Sequence, residues 1–295
     1  MSFHELLTRA VRAPDRVIRF GPHPDQVIDV YLPPRVTSPA VVLLHGGFWL
    51  SRYDRSHTRP MAAALADLGH PVYVPEYRRL GQAGGGYPGT FDDVAAAVDL
   101  VLAERPGRGG IVVAGHSAGG QLALWSAARH RLPASCPWHG EPAIDAVVAL
   151  AALSDLGEAF TAGLGDGAAA RLVDGRAELL DLTDPVRLLP PAPATRLALV
   201  HGVRDRLVPV GMSRRFAART GAALTEIQDA GHFALIDPLS AAWPAVTRAL
   251  SPALSPALSP ALSPARPRAA WQEAASVLHL AGRARQASAE VTTAH

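Results

Sequence analysis

The chain has 295 residues, of which 48% are hydrophobic, so it is long enough for one α/β domain with a sizeable core and a short appendage. Its formal net charge is +2, and its basic residues are all arginines that form no run or stripe along which a nucleic-acid backbone would lie. The single cysteine, Cys136, excludes an intrachain disulfide, and no apolar run approaches the length of a membrane span.

Residues 1–16 carry charge throughout and contain no apolar signal segment. We therefore expect a cytoplasmic protein that has no nucleic-acid partner and no membrane span. The sequence leaves a homodimer open as its oligomeric state.

The first half of the chain predicts strands that alternate with helices. Residues 16–20 and 26–32 alternate apolar and polar side chains, which is typical of an antiparallel hairpin at a sheet edge. Continuous apolar runs predict strands buried on both faces, and these lie at 40–44, 71–76 and 111–114. Amphipathic spacing predicts helices at 61–68, 91–104 and 119–131.

The second half continues this pattern with strands predicted at 144–153, 196–200 and 223–227, and helices at 210–219 and 239–250. Such alternation favours an α/β fold with a mostly parallel, eight-stranded sheet covered by helices on both faces. The segment 154–193 breaks the pattern and is too long for a plain connection, so we predict a small cap over the strand ends.

The α/β pattern of residues 1–250, which we predict to form one domain, gives way to a tandem Ser-Pro-Ala-Leu repeat at 251–268. A proline at every fourth position prohibits helix and central strand, so we predict an extended linker without a core. We expect the C-terminal tail at 269–295 to be disordered or a single loosely attached helix.

Ser117 is the candidate nucleophile, because it stands in Gly-His-Ser-Ala-Gly between a predicted strand and a predicted helix. This arrangement is typical of a nucleophile elbow, in which a serine sits on a strained strand-to-helix turn. Gly115 and Gly119 remove the Cβ atoms that would collide there. The helix that follows directs its first N–H groups, that of Ala118 first, towards the group that Ser117 attacks.

His232 and Asp205 are the candidate base and acid, because a nucleophile elbow is followed along the chain by an acid and then by a histidine. His232, His279 and His295 come late enough to follow an acid at the end of a buried strand, and the last two lie beyond the proline repeat, which leaves His232. Asp205 follows the strand predicted at 196–200, and Asp155 and Asp184 remain alternative acids.

The loop His45-Gly46-Gly47-Phe48-Trp49 follows a buried strand, and the N–H groups of Gly47 and Phe48 can join that of Ala118 in an oxyanion hole. We interpret His45 as a hydrogen-bonding brace of this loop. Three aromatic residues are candidates for the substrate pocket, with packing in the core as the alternative for each. They are Trp49, Tyr87 and Phe233.

Together these motifs resemble the α/β-hydrolase superfamily, and within it the hormone-sensitive-lipase-like and arylformamidase-like esterases. The resemblance covers about residues 27–250 and implies the roles given above for Ser117, Asp205 and His232. It departs from the lipase-like pattern at Phe48, where that group has a third glycine. Glu76-Tyr77-Arg78 replaces an Asp-Tyr-Arg of the same group, and we interpret it as a structural ion pair.

We therefore predict a serine hydrolase that needs no cofactor and no metal and cleaves small carboxylic esters through an acyl-enzyme. An arylformamidase that hydrolyses N-formylkynurenine is a narrower alternative. A catalytically silent fold that serves as a binding module is an alternative of another class.

Overall fold

The structure is a computed structural model, and it describes residues 3–104 and 110–250. The predicted linker at 251–268 and the predicted tail at 269–295 lie outside the described residues. Within residues 3–104 and 110–250, no helix combines the length and the apolar composition that crossing a membrane requires.

Eight strands form one sheet. In chain order they are β1 (Arg16–Arg19), β2 (Val27–Tyr31), β3 (Ala40–Leu44), β4 (Val72–Pro75), β5 (Ile111–His116), β6 (Ala146–Leu150), β7 (Arg196–Gly202) and β8 (Ala223–Ile227). Their order across the sheet is β1-β2-β4-β3-β5-β6-β7-β8. The pairs β1–β2 and β2–β4 are antiparallel, and the other neighbours are parallel. The mostly parallel sheet with a hairpin at its edge is thus confirmed.

Helices cover both faces of the sheet. Those in the described residues are α1 (Phe3–Leu7), α2 (Arg59–Asp67), α3 (Gly89–Glu104), α4 (Ala118–Ala127), α5 (Leu156–Thr161), α6 (Leu164–Leu172), α7 (Leu180–Thr183), α8 (Val210–Thr220) and α9 (Trp243–Leu250). Alternate residues of β3 enter opposite cores, since Val42 packs with α3 and α4 while Val41 packs with α2 and α9. A strand buried on both faces reads as a continuous apolar run, as the sequence predicted.

Several element boundaries differ from the prediction, and two of these differences have a clear local reason. Strand β6 ends at Leu150, earlier than predicted, because Ala151 takes a left-handed backbone with φ of 45°. Helix α9 begins at Trp243, later than predicted, because Asp237 accepts a hydrogen bond from the N–H of Leu239 in a preceding turn.

The segment predicted as a cap contains α5, α6 and α7. The carboxylate of Asp184 holds it together by accepting hydrogen bonds from the N–H groups of Leu156 at 3.0 Å, Gly157 at 2.9 Å and Val186 at 3.1 Å. Asp184 therefore joins the start of α5 to the chain that follows α7.

Helix α4 lies unusually close to the sheet. A Cβ atom at Gly119 would overlap the carbonyl oxygens of Leu44 and His45, and one at Gly115 would overlap the backbone of Gly119. The two glycines are therefore required by close backbone approach, which sets the position of α4 over the ends of β3 and β5.

Replacing Gly119 by alanine tests this constraint. We expect Gly119→Ala to lower the free energy of unfolding by on the order of 3 kcal/mol, because backbone atoms must move to admit the methyl group. Urea denaturation measures this change. Gly140→Ala is the matched control, because the nearest atom to its new Cβ lies 3.9 Å away on the Arg129 side chain. Equal midpoints for the two variants would contradict the packing argument.

Candidate active site

Ser117 occupies a strained turn between β5 and α4. Its backbone has φ of 56° and ψ of −119°, a conformation that costs a non-glycine residue free energy. The turn is held by hydrogen bonds from the Ser117 N–H to the Leu150 carbonyl at 2.8 Å and from the Gly120 N–H to the Ser117 carbonyl at 2.9 Å. The next residue, Ala118, is the first of α4, so its N–H has no acceptor within the helix.

Asp205 and His232 are brought together although 27 residues separate them. Asp205 follows the end of β7, and His232 follows β8 and opens the 3₁₀ helix His232–Ile236. The Nδ1 atom of His232 lies 2.6 Å from Oδ2 of Asp205, whose side chain is fully buried. Since a carboxylate only accepts, Nδ1 carries the proton and donates it in this hydrogen bond.

A second histidine also contacts the Asp205 carboxylate. Nε2 of His201 lies 3.3 Å from Oδ2 of Asp205 and 3.0 Å from the carbonyl oxygen of Val208. Both neighbours are acceptors, so Nε2 carries a proton, and Nδ1 then accepts from the hydroxyl of Ser213 at 2.7 Å. The chain Ser213, His201, Asp205, His232 is therefore one connected hydrogen-bond network.

Four donors stabilise the charged form of Asp205. Its Oδ1 atom accepts from the N–H groups of Leu207 at 2.8 Å and Val208 at 2.9 Å. Burial by itself would raise the pKa of Asp205, but the hydrogen bonds from His201 and His232 outweigh it and hold that pKa well below its ordinary value. Asp205 is therefore a carboxylate throughout the neutral range.

The alternative acids serve other purposes. Asp155 caps α5 by accepting from the N–H of Glu158 at 2.7 Å, and Asp184 holds the cap segment as described above. Among the described residues, it is Asp205 whose carboxylate bonds to the ring of His232.

The loop after β3 presents unused donors. Gly47, Phe48 and Trp49 have positive φ values of 112°, 49° and 55°, and the N–H of Leu50 closes the loop onto the carbonyl of Gly47 at 3.0 Å. The N–H groups of Gly47 and Phe48 donate to no other residue in the described part of the chain. They are therefore available to a bound oxyanion.

A buried ion cluster braces this loop from below. Nε2 of His45 lies 2.8 Å from Oε1 of Glu76, which also pairs with Arg79 at 2.6 Å. Burial would raise the pKa of Glu76, but His45 and Arg79 lower it to about 2. The ring of Tyr77 stacks on His45 at 4.3 Å, and its hydroxyl donates to the His45 carbonyl. The structural ion pair predicted at 76–78 thus involves Glu76, while Arg78 pairs with Asp93.

Ser117 and His232 line one cavity of about 620 Å³, together with Gly47, Phe48 and Phe233. Its other lining includes the apolar side chains Leu50, Leu164 and Leu207, and three charged residues that are discussed below. Within residues 3–104 and 110–250, no cluster of three His, Cys, Asp or Glu residues is arranged to hold a metal ion.

Two of the three predicted pocket aromatics lie elsewhere, so this part of the prediction needs correction. Trp49 is fully buried in the core beside the loop, and Tyr87 packs against Trp138 with ring centroids 5.6 Å apart. Neither lines the cavity, whereas Phe233 does. Core packing, the alternative for each aromatic residue, accounts for Trp49 and Tyr87.

The edge of the cap at residues 163–167 also reaches the cavity. Gly163, Gly165, Asp166 and Gly167 all have left-handed backbones, with φ between 56° and 73°. A Cβ atom at Gly165 would overlap the ring of Phe48. The cap therefore rests directly on the side chain of the candidate oxyanion loop.

Two further histidines of the cavity wall are buried. Burial lowers the pKa of His57 to about 3, and the charge of His45 acts in the same direction. Burial also lowers the pKa of His116 well below its ordinary value, and Nε2 of His116 donates to the carbonyl of His232 at 3.0 Å. Both rings are therefore neutral at neutral pH, and the predictions from sequence did not identify either.

Comparison with known proteins gives one family. The BD-FAE family model matches residues 28–220, which is more than half of the chain. None of the curated proteins compared with the chain matches it.

Three solved structures have the same fold. Esterase B from Lactobacillus rhamnosis has a TM-score of 0.65 and 19% identity, covering 83% of this chain and 86% of its own. A thermophilic esterase from Thermogutta terrifontis with butyrate bound has a TM-score of 0.61 and 20% identity, covering 82% and 95%. A bifunctional GH43-CE protein from Bacteroides eggerthii has a TM-score of 0.62 and 20% identity, covering 73% of this chain.

The chain spans about a third of that bifunctional protein, since 35% of its length is covered. At these identities the likeness shows the fold alone, and that fold is the α/β-hydrolase fold that the motifs predicted. The narrower assignment to the lipase-like or arylformamidase-like esterases stays a prediction.

The buried state of His57 predicts how stability depends on pH. The folded protein binds a proton at His57 more weakly than the unfolded chain, whose histidine pKa is near 6.5, so this contribution to stability is complete above pH 6.5 and is lost as pH falls towards 3. We expect His57→Gln to reduce the fall in unfolding free energy between pH 6.5 and 4 by on the order of 2 kcal/mol.

Urea denaturation at each pH measures the effect. The control is His4→Gln, which alters an exposed histidine in α1 and should leave the pH dependence as in the wild type. A His57→Gln protein with the wild-type pH dependence would contradict a neutral, buried His57.

Proposed function

We propose that this chain, which belongs to the BD-FAE family, is a serine hydrolase that cleaves small carboxylic esters through Ser117, His232 and Asp205. The observation that carries the proposal is the 2.6 Å hydrogen bond between Asp205 and His232, at a cavity that Ser117 also lines. The relatives described above as esterases support ester hydrolysis as the class of reaction.

In the proposed reaction, Ser117 Oγ attacks the carbonyl carbon of the ester while its proton passes to Nε2 of His232. Because Nδ1 of His232 donates to Asp205, Nε2 is left with a lone pair and can act as the base. Asp205 fixes this tautomer and stabilises the imidazolium once it forms. The bond to the alcohol oxygen then breaks, His232 gives its proton to that oxygen, and an acyl-serine remains.

Charge on the carbonyl oxygen is met by donors that are already in place. The N–H groups of Gly47, Phe48 and Ala118 are the proposed oxyanion hole, and each is worth on the order of 3 kcal/mol in the transition state. The ion cluster below His45 supports these donors, because a rigid loop need not reorganise when charge develops.

Water completes the cycle by the same route. His232 takes a proton from a water molecule, the resulting hydroxide attacks the acyl carbon, and the bond to Ser117 Oγ breaks. The serine recovers its proton from His232, and the product is a carboxylic acid. Every proton and electron pair is accounted for without a cofactor.

Replacing the nucleophile tests the proposal directly. We expect Ser117→Ala to lower kcat for p-nitrophenyl acetate by at least about 10⁴-fold, because the acyl-enzyme cannot form. Labelling by a fluorophosphonate probe should disappear in the same variant.

Comparison of p-nitrophenyl acetate, p-nitrophenyl octanoate and N-formylkynurenine ranks ester against formamide hydrolysis. Faster turnover of N-formylkynurenine would favour the arylformamidase. Equal rates for the wild type and Ser117→Ala, with no labelling of either, would overturn the enzyme and favour the silent binding module.

The network behind Asp205 gives a second expectation. His201→Ala removes one donor from the carboxylate, so we expect kcat to fall by about tenfold, or about 1.4 kcal/mol, with little change in KM because His201 does not line the cavity. His201→Gln should restore part of this loss, because its amide can donate in place of Nε2.

Ser213→Ala should also lower kcat, by a smaller factor, since it removes the hydrogen-bond partner of Nδ1 that helps to hold the ring of His201 in place. Ser126→Ala is the matched control, because the hydroxyl of that buried serine donates to the Leu122 carbonyl within α4, away from Asp205. A fall of the same size in Ser126→Ala would mean that general loosening, and not the donor to Asp205, lowers the rate.

A further inference from the structure

The charged side chains of the cavity wall are the feature that the proposed chemistry leaves unused. Three of the lining residues carry a formal charge, namely Arg52, Arg206 and Asp166, and all three are exposed. Two positive charges and one negative charge leave a formal charge of +1 at the wall.

The two arginines enter the wall from opposite sides of Ser117. Arg52 follows the candidate oxyanion loop after β3, and Arg206 stands next to Asp205 after β7. Strand β5, which leads to Ser117, lies between β3 and β7 in the sheet. Arg52 and Arg206 therefore line the cavity from loops on opposite sides of the Ser117 turn.

Neither guanidinium group is neutralised within the described residues. Of the carboxylates in the loop region, Asp29 bonds to Arg55 and Arg59, and Glu76 bonds to Arg79. Asp54 accepts hydrogen bonds from the N–H and the hydroxyl of Ser56. The Asp205 carboxylate is surrounded by histidine and backbone donors.

Arg52 is held by an aromatic ring and not by an acid. Its guanidinium carbon lies 5.0 Å from the ring centroid of Tyr53, which also lines the cavity. A cation–π contact of this kind favours this position of the guanidinium group and leaves its N–H donors available to an anion.

The placement contrasts with that of the other arginines near the loop. Arg55 and Arg79 form ion pairs with the buried carboxylate of Glu76, which holds the loop in shape. Arg52 and Arg206 form no ion pair within the described residues. A guanidinium group without such a partner is a strong ligand for a carboxylate, which it can bind with two parallel hydrogen bonds.

We propose that this cavity takes ester substrates that carry an anionic group, a carboxylate in the first instance, bound by Arg52 and Arg206. The proposal rests on the proposed function for the ester bond and adds the substrate class. The anion would also be drawn to the site by the positive wall, an attraction that salt weakens.

Two acetyl esters with the same scissile bond test the proposal. 4-Acetoxybenzoate carries a carboxylate, and 4-acetoxybenzamide is its neutral counterpart of nearly the same shape. We expect the ratio of their kcat/KM values, acid over amide, to fall by about two- to fivefold in Arg52→Ala and again in Arg206→Ala, as for an exposed ion pair. Comparing ratios between variants cancels the intrinsic difference in reactivity of the two esters.

Arg248→Ala is the matched control, because Arg248 is an exposed arginine on α9 outside the cavity. It should leave the ratio unchanged, and 0.5 M NaCl should lower the wild-type ratio. A ratio that is the same in the wild type and in the double variant Arg52→Ala/Arg206→Ala would overturn the anionic subsite.

Binding of the two esters to the catalytically inactive variant Ser117→Ala separates this proposal from the proposed function. Calorimetric titration with the same two esters should give tighter binding of 4-acetoxybenzoate, and the double arginine variant should lose that preference. If fluorophosphonate labelling fails but this preference is present, the ester hydrolase is wrong and the anion site stands. If labelling and hydrolysis are normal but the preference is absent, the anion site is wrong and the hydrolase stands.

Discussion

The close contact of α4 with the ends of β3 and β5 is the constraint on which the site depends. Gly115 and Gly119 allow backbone to pack on backbone, and this contact holds Ser117 in a turn that its own side chain disfavours. The strain is small beside the packing energy of a helix buried on all sides. Because α4 cannot move away from the sheet, the N–H of Ala118 keeps a constant position relative to the loop after β3.

Buried charge has two separate duties around the cavity. The cluster of Glu76, His45 and Arg79 fixes the loop that offers N–H donors, whereas the network of Asp205 and His201 fixes the orientation of an imidazole. In each network the carboxylate accepts hydrogen bonds from groups of its own network, so neither Glu76 nor Asp205 pairs with the arginines of the cavity wall. This division is what leaves the exposed cations of the cavity wall free to select among ligands.

The sequence predicted the sheet, its hairpin edge and the Asp205 contact with His232, because strand periodicity and chain order determine which residues meet at the strand ends. It did not predict that His201 contacts Asp205, since a histidine inside a strand has the same local signal whether it faces the core or an acid. Trp49 and Tyr87 were misplaced for a related reason: an aromatic residue next to a site motif packs as well in the core as in a pocket.

The left-handed backbone at 163–167 determines which amino acids suit this edge of the cap. Its handedness is the mirror image of what L-residues prefer, so three of its four left-handed positions are glycine and Asp166 carries the remaining cost. A protein assembled with D-alanine at Gly163 or Gly167 would suit this conformation, because a D-residue prefers the mirror-image backbone that these two glycines adopt. A single D-residue would then stiffen the segment at 163–167, which lies over Phe48, without contacting any reacting group.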